Sequence, residues 1–325
     1  NNQPVTDGSI SIMVPGSVIK IENKSRVFFS DLIRQFLDSP EVPKIDFEAK
    51  GLSHYFKYPK EQAIHELNLK EREGTLVGIM GGSGSGKSTL LNILNGTINP
   101  LFGNVLLNGV DIHEQATKVN GIIGHIAQED ALISELSVRK NLLYSAKLTF
   151  GELSNTEIDI KVDETLKSLG LWEIKDLRVG SILDKTISGG QRKRLNIALE
   201  LIREPLVLFV DEPTSGLSSY DSIQIMDLLK DLSHRGKLVF AVIHQPSSEI
   251  FKLFDKFLML DLGGYPIYYG DPTSVIPYFK RITNQVDPNQ SSCLQCGNIN
   301  PEQIFDTIET REIDEYGNIS NNRKI

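Results

Sequence analysis

From Lys44 to about residue 285, short apolar runs alternate with stretches whose apolar residues recur at helical spacing. The segments "TLVGIM", "GNVLLNG", "GIIGHIA", "LVLFVDEP" and "KLVFAVIH" contain apolar runs of strand length. The strongest are nearly continuous, which predicts strands buried on both faces. Between them, "KSTLLNILNG" predicts a helix that stops at Gly96. Residues 135–172 read as mostly helical, first with Leu142, Leu143 and Ala146, then with Val162, Leu166 and Leu169. In "QRKRLNIALELIRE", Leu195, Ala198, Leu199 and Ile202 follow i, i+3, i+4, i+7 spacing, and Pro205 ends the helix. Apolar strands separated by helices predict an α/β fold around a parallel sheet. Ligands of such sheets bind beyond the carboxyl ends of the strands.

The two ends of the chain follow other patterns. "SISIMVPGSVIKIE" alternates apolar and polar residues around Pro15-Gly16 and predicts a hairpin. "SDLIRQFL" predicts a helix with Ser30 as cap and Leu32, Ile33, Phe36 and Leu37 on one face. Pro40 and Pro43 close this unit, giving an extension over 1–43, a main domain over 44–285 and a polar tail over 286–325.

Composition narrows the function classes. With 325 residues and 40% hydrophobic content, the chain can bury a sizeable core. A net charge of −8 disfavours nucleic acid as a partner held by bulk charge. No apolar run approaches the roughly twenty residues of a membrane span, and no signal peptide is visible. The chain starts with Asn rather than Met, as an excised piece of something longer would. Cys293 and Cys296 have metal-ligand spacing but no second pair to complete a zinc site, so a structural role in a reducing compartment is expected.

The first chemical motif is "GGSGSGKST", made of Gly81, Gly82, Ser83, Gly84, Ser85, Gly86, Lys87, Ser88 and Thr89. It fits G-x-x-x-x-G-K-[ST] and lies between a predicted strand and a predicted helix. Glycines let backbone amides curl around phosphate oxygens, and the helix start adds partial positive charge. Lys87 would reach the outer phosphates and Ser88 a magnesium ion. At the end of "LVLFVDEP", Asp211 fits the carboxylate that holds magnesium through its water shell. Glu212 fits the base for a water in line with the γ-phosphate.

In order and spacing, this loop, "IAQED", "ISGGQRKRL", "LVLFVDEPTSGLS" and "VIHQPSS" resemble the nucleotide-binding domain of an ABC ATPase, over roughly residues 45–285. "SGGQRKRLNIALEL", "DEPTSGL" and "HQPSS" further resemble the G subfamily, the white-type exporters, and so does "NPEQIFDTIE" near the end. The resemblance implies a P-loop NTPase core with an antiparallel β subdomain and a helical subdomain at about 130–190. It implies ATP and Mg²⁺ as cofactors, and head-to-tail pairing with a second ATPase domain. A membrane domain outside these residues would be driven from the cytoplasmic face of the plasma (inner) membrane.

Residue by residue, the resemblance assigns Ser188, Gly189 and Gly190 to the partner's γ-phosphate. Gln128 would sense magnesium and water, and His244 would hold the γ-phosphate. For adenine stacking it points upstream to Phe56 first and Tyr55 second. Ser218 stands where the family usually has an aspartate that bridges subunits, with Asp221 three residues on. The charge run Arg192–Arg194 reads as solvated, with a face toward the partner as the alternative, and His125 as structural. Two other classes stay open: a soluble ABC ATPase in repair, translation or cofactor assembly, and a nucleotide-dependent module without turnover.

Overall fold

A computed structural model describes residues 44–119, 121–181 and 186–283, together with Ile304 and the backbone of four short strands outside them. Those strands pair antiparallel, Val18–Lys20 with Arg26–Phe28 and Arg311–Ile313 with Ile319–Arg323. The expected turn at Pro15-Gly16, the helix at Ser30–Leu37, the cysteine pair and all of the "NPEQIFDTIE" stretch but Ile304 lie outside the described residues.

The main domain opens with the antiparallel strands β1 (Asp46–Lys57) and β2 (Glu61–Arg72). It continues with β3 (Leu76–Gly81), α1 (Lys87–Leu94), β4 (Phe102–Leu107), β5 (Val110–Asp111) and β6 (Ile123–Ile126). The helical part holds α2 (Val138–Thr149), α3 (Asn155–Ser168) and α4 (Gly189–Leu201). The chain then returns through β7 (Val207–Asp211), α5 (Ser219–His234), β8 (Leu238–Val242), β9 (Lys256–Asp261), β10 (Tyr265–Gly270) and α6 (Pro272–Ile282). No helix among the described residues is long and apolar enough to cross a membrane.

The strands form a six-stranded sheet in the order β10-β9-β3-β8-β7-β6 and a four-stranded antiparallel sheet in the order β2-β1-β4-β5. The larger sheet is parallel except for β10, which pairs antiparallel with β9 at the edge. Hydropathy of the apolar runs did not flag this edge, because "YPIYYG" is only partly buried. Alternation along each buried strand splits the core in two. Leu76, Met80, Leu208, Val210, Val239 and Ala241 face α5 and α6. Val77, Ile79, Val207, Phe209, Phe240 and Val242 face α1 and the antiparallel sheet. Between those sheets, Phe240 stacks on Phe209 at 5.0 Å and leans on Phe47 at 5.3 Å. A third core, with Val138, Leu142, Val162, Leu166, Leu195 and Ala198, joins α2, α3 and α4.

The helix starts are chemically explicit. Ser154 and Ser188 each form a reciprocal capping box, with Glu157 and Gln191 respectively. Ser218 caps α5 by accepting from the Asp221 amide at 3.1 Å, and its hydroxyl donates to Asp221 Oδ2 at 2.9 Å. The Asp221 carboxylate occupies the space that a Cβ on Gly190 would need. It therefore sits beside the first turn of α4, where a negative charge complements the helix dipole.

The Phe47–Phe209–Phe240 cluster generates a stability prediction. Phe240→Ala removes a fully buried ring and is expected to lower stability by about 3–5 kcal/mol in urea unfolding. A loss below about 1 kcal/mol would mean that the sheets do not depend on this contact. A second prediction concerns pH. Burial pushes the imidazoles of His65, His113 and His125 below their ordinary value of 6.5. Below that value the unfolded chain binds protons that the folded chain refuses, so stability falls as the pH drops. The urea midpoint is expected to decrease from about pH 7.5 to about pH 5.5, and His113→Asn to flatten the decrease. An unchanged midpoint across that range would contradict it.

Candidate nucleotide-binding and hydrolysis site

β3 delivers the glycine loop and α1 receives it. The loop tightens through the Ser85 amide, which donates to the Gly82 carbonyl at 3.3 Å. Gly86 caps α1 at φ 88°, and a Cβ there would come within 2.9 Å of the Ala63 carbonyl oxygen in β2. Both the backbone conformation and the space require glycine. The first amides of α1 have no partner inside the helix, as at any helix start. Lys87 Nζ curls over the loop and donates to the carbonyls of Gly81 at 3.0 Å and Gly82 at 2.8 Å. Burial pulls the Lys87 ammonium pKa down, while Glu212 and Asp211 oppose the shift.

Asp211 ends β7 beside this loop. Its carboxylate accepts a hydrogen bond from Ser88, yet burial, reinforced by the charge of Glu212, holds its pKa above the usual range. Asp211 Oδ1 and Ser85 Oγ are buried and without a hydrogen-bond partner among the described residues. A raised carboxylate with an orphaned oxygen, beside a serine hydroxyl and facing an ammonium, fits a site for a hard cation and phosphate. The residues present therefore suit magnesium and a nucleotide.

Glu212 follows at φ 44°, a left-handed backbone that is uncommon for a non-glycine residue. Its carboxylate lies between two partners. Gln128 Nε2 donates to Oε2 at 2.8 Å, and His244 Nε2 lies 2.9 Å from Oε1. Gln128 comes from the segment after β6, and His244 from the segment after β8. Three separate strand ends thus bring together Gln128, Glu212 and His244. Just after His244, Gln245 also has a positive φ, 38°.

The aromatic candidates divide. Tyr55 packs edge-on against Tyr58 at 5.1 Å and Phe102 at 6.4 Å. Phe56 is 59% exposed and meets His54 edge-on at 6.0 Å. His54 is in register with Ile64, which packs against Gly86.

Among the described residues no hydrogen bond joins Ser188, Gly189 or Gly190 to the phosphate loop of the same chain. The charge run after them is not solvated, against the expectation from sequence. Arg192 is only 13% exposed; its Nε donates to Asp130 Oδ2 at 2.5 Å and its Nη1 to the Gly180 carbonyl at 2.8 Å. Lys193 Nζ points back to the carbonyls of Ala127 and Gln128, each at 3.4 Å, and burial lowers its pKa. Arg194 Nε is buried as well. The run is drawn inward because Asp130 and the carbonyls after β6 face the first turn of α4. An acidic "QED" stretch and a basic "QRKR" stretch were legible as charges, but their pairing across 62 residues was not. His125, the expected structural histidine, lies in β6 with a buried Nε2 that has no partner among the described residues.

The profile of the ABC transporter family matches residues 64–215. The chain is 42% identical over 222 residues to ABC transporter G family member 13 of Arabidopsis thaliana, covering 67% of this chain and 32% of that protein. It is 38% identical over 240 residues to the ABC-type transporter claG of Penicillium crustosum, covering 73% of this chain and 32% of that protein. It is 35% identical over 235 residues to the mouse broad substrate specificity ATP-binding cassette transporter ABCG2, covering 71% and 35%. The chain spans about a third of the length of these curated relatives. Its nucleotide-binding domain belongs to the ABC transporter family, with its similarity running to the G family.

Proposed function

We propose that this chain binds and hydrolyses ATP as one half of a head-to-tail pair, and that the pair drives an exporter-type membrane domain from the cytoplasmic face of the plasma or inner membrane. The observation that carries the reading is the Glu212 carboxylate, positioned by Gln128 and His244 beside the phosphate loop. Residues 81–89 bind the phosphates, with Lys87 on the outer ones and Phe56 under the base. Ser88, Asp211 and the amide oxygen of Gln128 would hold magnesium, which neutralises phosphate charge when bound. Glu212 takes the proton of the attacking water. His244 orients that water and the γ-phosphate, since an imidazole can donate on one side and accept on the other. Ser188, Gly189 and Gly190 close the site of the opposite chain, where the α4 dipole adds positive potential.

Two experiments test this reading. Glu212→Gln keeps the shape and removes the base, so phosphate release is expected to fall about 100-fold or more. The same variant is expected to form an ATP-dependent dimer in light scattering. A variant that hydrolyses at the native rate rejects Glu212 as the base; one that stays monomeric at saturating ATP rejects the pairing. The second variant is Ser218→Asp, whose carboxylate can still accept from the Asp221 amide as an N-cap but loses the hydroxyl that donates to Asp221 Oδ2. It is expected to steepen the ATP dependence of hydrolysis by restoring a bridging carboxylate. An unchanged Hill coefficient would show that Ser218 does not weaken coupling between the sites.

A further inference from the structure

The start of α4 is tied to the segment that carries Gln128 at successive points along the helix. Arg192 grips Asp130 with two nitrogens, Nε at 2.5 Å and Nη2 at 3.2 Å, and spends Nη1 on the Gly180 carbonyl. Next to it, Lys193 reaches the Ala127 and Gln128 carbonyls. One turn later, Asn196, 6% exposed, accepts from the Ala131 amide at 3.4 Å. At its other end the same segment holds Glu212 through the Gln128 side chain. Within one chain, a continuous run of contacts therefore leads from Glu212 through Gln128 and Asp130 to Arg192, and so to the helix turn that begins at Ser188.

We propose that the Asp130–Arg192 ion pair is a positioning link that carries the state of a chain's own nucleotide site to its Ser188 turn, and through it to the partner's site. The last step rests on the head-to-tail reading above. The physical basis is stiffness. A bidentate, largely buried guanidinium–carboxylate pair fixes both distance and angle, which a single hydrogen bond does not. When a bound nucleotide draws the Gln128 side chain toward the phosphate loop, the backbone of 127–131 shifts with it. Asp130 then pulls Arg192, and α4 answers as a rigid element because Ser188 is locked into its first turn by the Gln191 capping box. Lysine at position 192 would keep the charge and lose the fork, so it is a poor replacement.

The test is hydrogen exchange on the full chain, kept dilute enough to be monomeric, with and without a non-hydrolysable ATP analogue plus magnesium. In the native chain the analogue is expected to protect residues 81–89 and to change exchange at 188–192 by about threefold or more. Asp130→Asn is expected to keep the response at 81–89 and lose the one at 188–192. Asp130→Glu is expected to recover it, and Arg192→Lys to lose most of it. Native-like protection at 207–211 checks that each variant is folded. The link is overturned if Asp130→Asn and Arg192→Lys both retain the response at 188–192. It is equally overturned if the native loop responds and residues 188–192 do not. A native chain with no response at 81–89 would overturn the nucleotide reading and this inference with it. Because the readout is monomeric, a failure of the Glu212→Gln variant to dimerise would leave the link within the chain standing and remove only its extension to the partner.

Discussion

A parallel strand buried on both faces has no room for an unpaired polar side chain until it ends, and the site follows from that constraint. Along β3, β7 and β8 the buried positions are apolar, sorted by alternation between two cores. Polar chemistry is thereby pushed to the carboxyl ends, where the glycine loop, Asp211, Glu212 and His244 emerge on neighbouring strands. The order β3-β8-β7-β6 then does the assembling, because it places the ends of the loop strand, the histidine strand, the carboxylate strand and the Gln128 strand side by side. No long-range recognition between these groups is needed beyond correct strand pairing.

Once gathered, the groups restrain one another. Glu212, directly after β7, and Gln245, three residues beyond β8, hold positive φ angles, which a free chain would avoid. At Glu212, hydrogen-bonding contacts to both carboxylate oxygens offset that disfavour. Asp211 next to it shows the opposite balance, with one oxygen lacking a partner among the described residues and a pKa raised by burial. Adjacent carboxylates thus have different electrostatic environments, one with a partner on each oxygen and one with an oxygen that has none among the described residues.

Much of this was legible in the chain because it depends on short-range pattern. Four of the continuous apolar runs are strands of the parallel sheet, while "GNVLLNG" joins the antiparallel one, and the glycine loop lies between a strand and a helix as its motif requires. Glycine at position 86 is forced by a local φ and by the Ala63 carbonyl, so its motif reads correctly in isolation. What escaped depends on distant partners. Edge strand β10 is half exposed and lacks a clean apolar signal. Arg192, Lys193 and Arg194 look like a solvated face until Asp130 and the carbonyls of Ala127 and Gln128 are folded against them.

Ser188 has one further property. Its oxygen accepts the Gln191 amide at 3.1 Å to start α4, which leaves its hydroxyl hydrogen uncommitted among the described contacts. One atom serves folding, and on the head-to-tail reading proposed above the hydrogen bonded to it is offered to the partner's phosphate. Aspartate there would cap the helix but repel an anion, and alanine would do neither. Tolerance to change at this position is therefore filtered twice, by helix nucleation in the single chain and by anion chemistry at the surface, and few side chains besides a small hydroxyl pass both filters.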